Sequence, residues 1–350
     1  MFYYPELSGS REDMLQQSEI YSPSAFWAEA SAAIVNELCE HGVENFRRLQ
    51  KPLGFFVPAY GSPGNSFSKA LSQGVIDPFR QRQEANAKPV LALEMFLEGQ
   101  FTALSDHRVQ LSVDSPVVPP YLHTLTASAA GPPVEQFEFD GRMLSRSALN
   151  YLLGLAFLKK YQGQERIHTV MEIGGGFGTL CEILSYSGTE AGQYIDLDFP
   201  PTSFATQYYL SKALGAECVV AYAQTRNLPE IDIASLPKAA VLCSWQIEKL
   251  QGQVDLFVNY ISFQEMEPHM VHNYLGQVER LGTRWLLLRN MGEGKQKRKT
   301  EGVGVETPIT SGDYQDMLPA YELVARNVHP FGYKKADGYH SQHMLFKCKA

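Results

Sequence analysis

Val170-Met-Glu-Ile-Gly-Gly-Gly-Phe-Gly178 is the stretch on which the reading of this chain turns. An apolar run passes through an acid, Glu172, and then meets Gly174, Gly176 and Gly178 at every second position, before a helix expected near Thr179. Glycine allows a sharp turn and lets a ligand approach the backbone with no Cβ in the way. A pyrophosphate-binding turn has the spacing GxGxxG. From Gly174 the third position is Thr179, and from Gly176 the matching residues are Gly178 and Cys181, so neither register completes that pattern.

A second segment, Tyr194-Ile-Asp-Leu-Asp-Phe-Pro-Pro201, follows at the distance where a strand-end acid accepts hydrogen bonds from both hydroxyls of a ribose. Asp196 and Asp198 alternate onto one strand face. Asp198 is the preferred ribose ligand, because Pro200 and Pro201 end the strand beside it. Asp196 reads as a helper or as a carboxylate tied to backbone amides. With E-x-G-x-G-x-G the pair resembles motif I and the second strand of class I methyltransferases. Their cofactor, S-adenosylmethionine, carries a sulfonium and an amino-acid tail, near which a carboxylate such as Glu172 is favourable; beside a pyrophosphate it would be repelled.

Outward from these motifs, short apolar runs alternate with helical patterns, which predicts an α/β domain with a mostly parallel sheet covered on both faces. Strands are expected at 169–173, 193–197, 217–222, 239–244, 254–260 and 284–289, with 321–329 and 343–348 as a terminal antiparallel pair. Upstream, 24–49 and 145–161 carry helical apolar stripes, and a middle region of mixed helix runs to about His107. Prolines from Pro116 to Pro133 mark an irregular passage. The expected division is a largely helical N-terminal accessory or cap region, 1–145, and a cofactor-binding domain, 146–350.

Composition narrows the alternatives. The chain has 350 residues, 44% hydrophobic, ample for a buried core. A net charge of −8 argues against a general nucleic-acid partner. No run approaches the roughly 18 apolar residues of a membrane span, and the first residues lack a secretory pattern. Five scattered cysteines without a CxxC pair fit reduced thiols. The expectation is a soluble cytoplasmic protein.

Taken together, Glu172-Ile-Gly-Gly-Gly-Phe-Gly178, Asp198-Phe-Pro-Pro-Thr202, Tyr208-Tyr-Leu-Ser211 and Asp255-Leu-Phe-Val-Asn259 leading to Ser262-Phe-Gln-Glu-Met266 resemble a bacterial family of sugar O-methyltransferases often encoded with polysaccharide-assembly genes. Leu149-Asn-Tyr-Leu152 is a weaker match, and the matching words cover about 150 residues ending near residue 290. The resemblance implies a Rossmann-like fold with a sheet of about seven strands. It also implies S-adenosylmethionine, with S-adenosylhomocysteine as product, and methyl transfer to a hydroxyl of a sugar, nucleotide-sugar or glycan. An aromatic or polyketide hydroxyl acceptor and a non-catalytic scaffold that binds the cofactor are the alternatives.

Open α/β sheets bind ligands at the carboxyl ends of their strands. That places Glu172, Gly174, Gly176, Asp196, Asp198, Ser244, Trp245 and Asn259 as candidates around the cofactor, with Trp245 offering a flat face to the adenine. An acceptor hydroxyl must lose its proton, to a base or with help from a metal. Glu265 is the first candidate base and His340 the second. In small-molecule O-methyltransferases, which the chain also resembles at Asp198-Phe-Pro200, a histidine base follows the strand expected here at 254–260; Gln264 occupies that position, so that mechanism does not carry over. His269 and His272, with Glu265 and Glu267, read as ordinary polar residues opening a helix, and no metal ligand set is assigned. The basic loop from Arg289 to Lys299 is a candidate closure over an anionic acceptor. The N-terminal region could instead serve as a subunit contact, as in a homodimer.

Overall fold

The computed structural model describes residues 2–60, 69–82, 87–186, 192–298, 304–329 and 340–349. The helices are α1 (Pro5–Met14), α2 (Ala25–His41), α3 (Gln50–Phe55), α4 (Lys69–Arg82), α5 (Ala87–Leu97), α6 (Gln100–Val113), α7 (Arg146–Gln162), α8 (Thr179–Tyr186), α9 (Thr202–Leu214), α10 (Tyr222–Thr225), α11 (Pro268–Arg280) and α12 (Ser311–Met317). The strands are β1 (Gln136–Phe139), β2 (Arg142–Ser145), β3 (Thr169–Ile173), β4 (Gln193–Asp198), β5 (Val219–Val220), β6 (Ile231–Asp232), β7 (Ala239–Cys243), β8 (Leu250–Gln251), β9 (Leu256–Tyr260), β10 (Trp285–Met291), β11 (Tyr321–His329) and β12 (Ser341–Cys348).

Eight strands form the main sheet in the order β11-β12-β10-β9-β3-β4-β7-β5. β5, β7, β4, β3, β9 and β10 pair in parallel, while β12 runs antiparallel to both β10 and β11. The fold is therefore α/β with a mainly parallel, Rossmann-like sheet. β3, the strand of the glycine motif, has β4 on one side and β9 on the other, which makes its end the switch point where ligands of such sheets bind. β3, β7 and β9 are buried at every position, as expected of central parallel strands covered on both faces. On one face α11 presents Val271, Tyr274, Leu275 and Val278, the i, i+3, i+4, i+7 stripe of an amphipathic helix. On the other lies α7, capped by Ser145, whose hydroxyl accepts from the Ala148 amide at 3.2 Å. Its buried apolar side chains join one cluster with Ile34, Leu38, Phe46 and Phe56 from the N-terminal region.

Several expected elements differ. The helical stripe over 24–49 breaks at Gly42, whose φ of 87° takes the chain out of α2 into a 3₁₀ turn, Val43–Arg48. The N-terminal region is not only helical: β1 and β2 form an antiparallel hairpin just before α7. The strand expected at 217–222 shrinks to β5, because α10 begins at Tyr222. With β5 at the edge the sheet has eight strands, against about seven expected. Among the described residues, no helix is long and apolar enough to cross a membrane.

Candidate active site

A cavity of about 380 Å³ opens at the end of β3, within the roughly 300–1,000 Å³ typical of small-molecule sites. Its floor is the glycine turn, Ile173 to Phe177. Gly174 and Gly176 have φ of 73° and 65°, a backbone that side chains rarely adopt. A Cβ on Gly174 would lie 2.5 Å from the Ser262 side chain, and one on Gly175 would lie 2.5 Å from Asp196 Oδ1. The turn is thus pressed between the ends of β4 and β9, with no room for larger residues.

Asp198 lines the cavity at the tip of β4, its Oδ1 accepting from the Phe199 amide at 2.8 Å. Asp196 does not reach it. That side chain is wholly buried beneath the turn, near the Gly175 amide and the Thr206 hydroxyl but without a hydrogen bond of normal geometry to either. Burial pushes Asp198 up to about 8 and Asp196 well above the carboxylate range, and Asp198 disfavours a second charge on Asp196.

Glu172, expected beside the cofactor, is a correction. It is fully buried and outside the cavity lining, because strand alternation turns it toward α7. Two hydroxyls hold it, from Tyr151 at 2.6 Å and Tyr194 at 2.5 Å. Burial raises it to about 7, against the pull of those two hydrogen bonds. Glu172 thus braces the turn from behind.

Ser244, at the end of β7, lines the cavity. Trp245 does not: it packs into the core edge-on against Tyr222, ring centres 5.6 Å apart. Asn259 is also structural in placement. Its amide donates to Ile173 O at 3.0 Å and to Ser262 Oγ at 2.6 Å, tying the end of β9 to the glycine turn. Ile261 follows at φ 74°, a strained conformation for a β-branched residue, and it lines the cavity.

Of the three candidate catalytic residues, Glu265 alone faces the cavity. It pairs with Lys295 through Oε1, and its Oε2 accepts from Trp27 Nε1 at 2.9 Å. Gln264 instead turns its Oε1 to the Met291 amide at 2.8 Å, stapling the end of β10. His340 bonds Glu293, Nδ1 to Oε1 at 2.5 Å, away from the cavity lining. The rest of its turn, 337–339, and Lys299 of the basic loop lie outside the described residues. His269 and His272 are exposed on α11. Among the described residues no group of His, Cys, Asp or Glu side chains is arranged to hold a metal.

The opposite wall comes from the N-terminal region: Tyr21, Phe26, Trp27, Phe55 and Phe56 all line the cavity. Phe26, Trp27, Phe55 and Phe199 form a ring cluster with centres 5.6–5.8 Å apart. Phe26 and Trp27 lie within the helical stripe over 24–49, and nothing local in the sequence says what such a stripe faces.

No protein-family model and no curated protein matches this chain. Among solved structures it is similar to the mitomycin 7-O-methyltransferase MmcR, at 11% identity over 98% of both chains with a TM-score of 0.34. It is also similar to magnesium protoporphyrin IX methyltransferase (ChlM) from Synechocystis PCC 6803 with bound SAM, at 10% identity over 70% of this chain and 97% of that one, TM-score 0.36. A third is the ribosomal protein L11 methylase from Lactobacillus delbrueckii subsp. bulgaricus, at 10% identity over 61% and 82%, TM-score 0.34. At these values the functional reading is left to the site itself, an aromatic-walled cavity over a glycine turn at the sheet's switch point.

Proposed function

We propose that this chain is an S-adenosylmethionine-dependent O-methyltransferase acting on an aromatic or polyketide-type hydroxyl, with 146–350 as catalytic domain and 1–145 as its cap. The observation that carries the reading is a cavity lined by Gly174, Gly176 and Asp198 on one side and by the Phe26, Trp27, Phe55 and Phe199 rings on the other. The residues suit the cofactor: a turn free of Cβ atoms for the amino-acid tail, a strand-end carboxylate for the ribose hydroxyls, and Ser244 beyond it for the base.

The bound cofactor supplies an electrophilic methyl group on a sulfonium. With it bound, an acceptor oxygen held in line would take the methyl group while sulfur kept the electron pair of the broken C–S bond, and the hydroxyl proton would need a base. Glu265, which lines the cavity, is the candidate for that base. Lys295 and Trp27 hold that carboxylate in position at the cavity. A phenol, whose pKa is about 10, gives up its proton far more readily than a sugar alcohol. Closing the cavity with rings excludes water and holds the oxygen in line, which supplies much of the acceleration.

A sugar, nucleotide-sugar or glycan acceptor is the second reading, favoured by the polar side chains of Ser147 and Asn150 in the same cavity. Exposed Phe79, Leu91 and Phe96 on α4 and α5 support self-association, for which a dimer is the simplest form.

Calorimetric titration with S-adenosylhomocysteine tests the proposal. The wild type is expected to bind, and, at a pH above 8 where Asp198 is charged, Asp198→Ala to lose at least about tenfold in affinity, since hydrogen bonds to a charged group are worth about 1.5–3 kcal/mol. Absence of binding to the wild type would overturn the methyltransferase reading.

A further inference from the structure

Arg289, two residues before the end of β10, is only 2% exposed, yet it lines the cavity. Its Nε and Nη1 have no hydrogen-bond partner, and no ion pair is made to it among the described residues. A guanidinium is always charged and presents a planar fork suited to carboxylates and phosphates. Burying it unpaired is costly, and chains retain such a group where a ligand completes it.

The surroundings sharpen the case. Tyr260 on β9 presents its ring to the guanidinium, 5.7 Å from its centre. His343, opposite Arg289 on β12, is pushed down to about 3 by burial and by the Arg289 charge, so it stays neutral. Arg146 on α7 adds a second positive charge close enough to act on Arg289. The nearby acid, Asp106 on α6, is taken up by the Tyr60 hydroxyl and makes no ion pair with Arg289. Glu172 is held by its two tyrosines and Glu265 by Lys295. Each acid in the neighbourhood therefore has its own donor.

We propose that Arg289 is the receptor for an anionic group of the acceptor, so that the methylated molecule is an acid, either a carboxylate or a phosphate ester. Ser147 and Asn150, on the first turns of α7, stand in the same wall as further donors to that group. The inference rests on the methyltransferase reading for the word acceptor, but the anion site itself does not depend on it.

The test titrates the protein, with and without saturating S-adenosylhomocysteine, with benzoate, phenyl phosphate and the uncharged benzamide. At least one anion is expected to bind ten times more tightly than benzamide; which anion wins distinguishes a carboxylate from a phosphate ester. Arg289→Met is expected to abolish the preference while S-adenosylhomocysteine affinity stays within about twofold, and Arg289→Lys to keep part of it. Melting temperature separates ligand binding from a structural role. Arg289→Met should melt at or above the wild type, because an unpaired buried charge is removed, and the winning anion should raise the melting temperature of the wild type alone. The proposal fails if neither anion outbinds benzamide, if Arg289→Met melts several degrees lower, or if it loses S-adenosylhomocysteine, which would make Arg289 a cofactor ligand. Loss of S-adenosylhomocysteine binding in the wild type, with anion binding intact, would instead sink the methyltransferase reading and leave the anion site standing.

Discussion

Asp198 and Glu172 concentrate the protonation chemistry of the site. Both hold a proton in the fold at pH values where they would lose it in the unfolded chain, because burial raises them to about 8 and about 7. The folded state then binds more protons than the unfolded one, so stability is fully present below the ordinary carboxylate range and is lost as pH rises toward 8. Each group that stays protonated only in the fold contributes a slope of about 1.4 kcal/mol per pH unit. Urea unfolding of the ligand-free protein should show a falling midpoint from pH 5 to pH 8, and Asp198→Asn should flatten that fall. A midpoint that rises over this range would show the two acids ionised in the fold. Ribose hydroxyls prefer the charged carboxylate, so S-adenosylhomocysteine affinity should increase as pH climbs through about 8, by up to tenfold per unit below it.

α7 is the element on which the two halves of the chain meet, and its glycine shows how closely. A Cβ on Gly154 would sit 1.4 Å from the Tyr260 hydroxyl oxygen. Gly154→Ala must therefore displace Tyr260, which stacks on Tyr151 at 4.8 Å and borders Arg289. Overpacking of this kind costs about 1–3 kcal/mol, and here it should also weaken anion binding. Gly276 on α11 is the contrasting position, with nothing within 4 Å of its added Cβ. Gly276→Ala should stabilise by roughly 0.5–1 kcal/mol through helix propensity alone. Chemical denaturation of the two variants gives opposite signs if the packing is as described.

At the scale of the whole molecule, Arg47 joins the N-terminal region to the sheet domain. Its guanidinium, completely buried, donates to Glu135 Oε1 at 2.8 and 2.5 Å and to Ser128 O at 2.8 Å, and it lies over the rings of Phe177 and Tyr209. Removing one partner strands the other charge in the interior, a loss of about 3–5 kcal/mol. Glu135→Ala should destabilise by that amount. If cap and sheet form one cooperative unit, tryptophan fluorescence and far-UV circular dichroism will report the same midpoint in wild type and variant. Separate midpoints would mean that the cap comes away first.

Local chemistry determined much of this protein without tertiary help. Strand β3, the glycine turn, the β4 acids and the α7 boundaries were legible because a strand end, a turn without Cβ atoms and a capped helix are each written in consecutive residues. The two prolines that end β4 even placed Asp198 at the rim. Tertiary structure alone decided which side chains face the cavity. Glu172 is taken by Tyr151 and Tyr194, and Gln264 by the Met291 amide. Trp245 is taken by the core. In each case a partner distant in sequence competes for the group, and no local pattern encodes that partner. The same holds for Trp27, which reaches Glu265 across 238 positions of chain, and for Arg289, legible as a basic residue but not as one buried without a counter-charge. Burial and pairing depend on what the rest of the chain packs against a residue, so they exist only once the chain has folded.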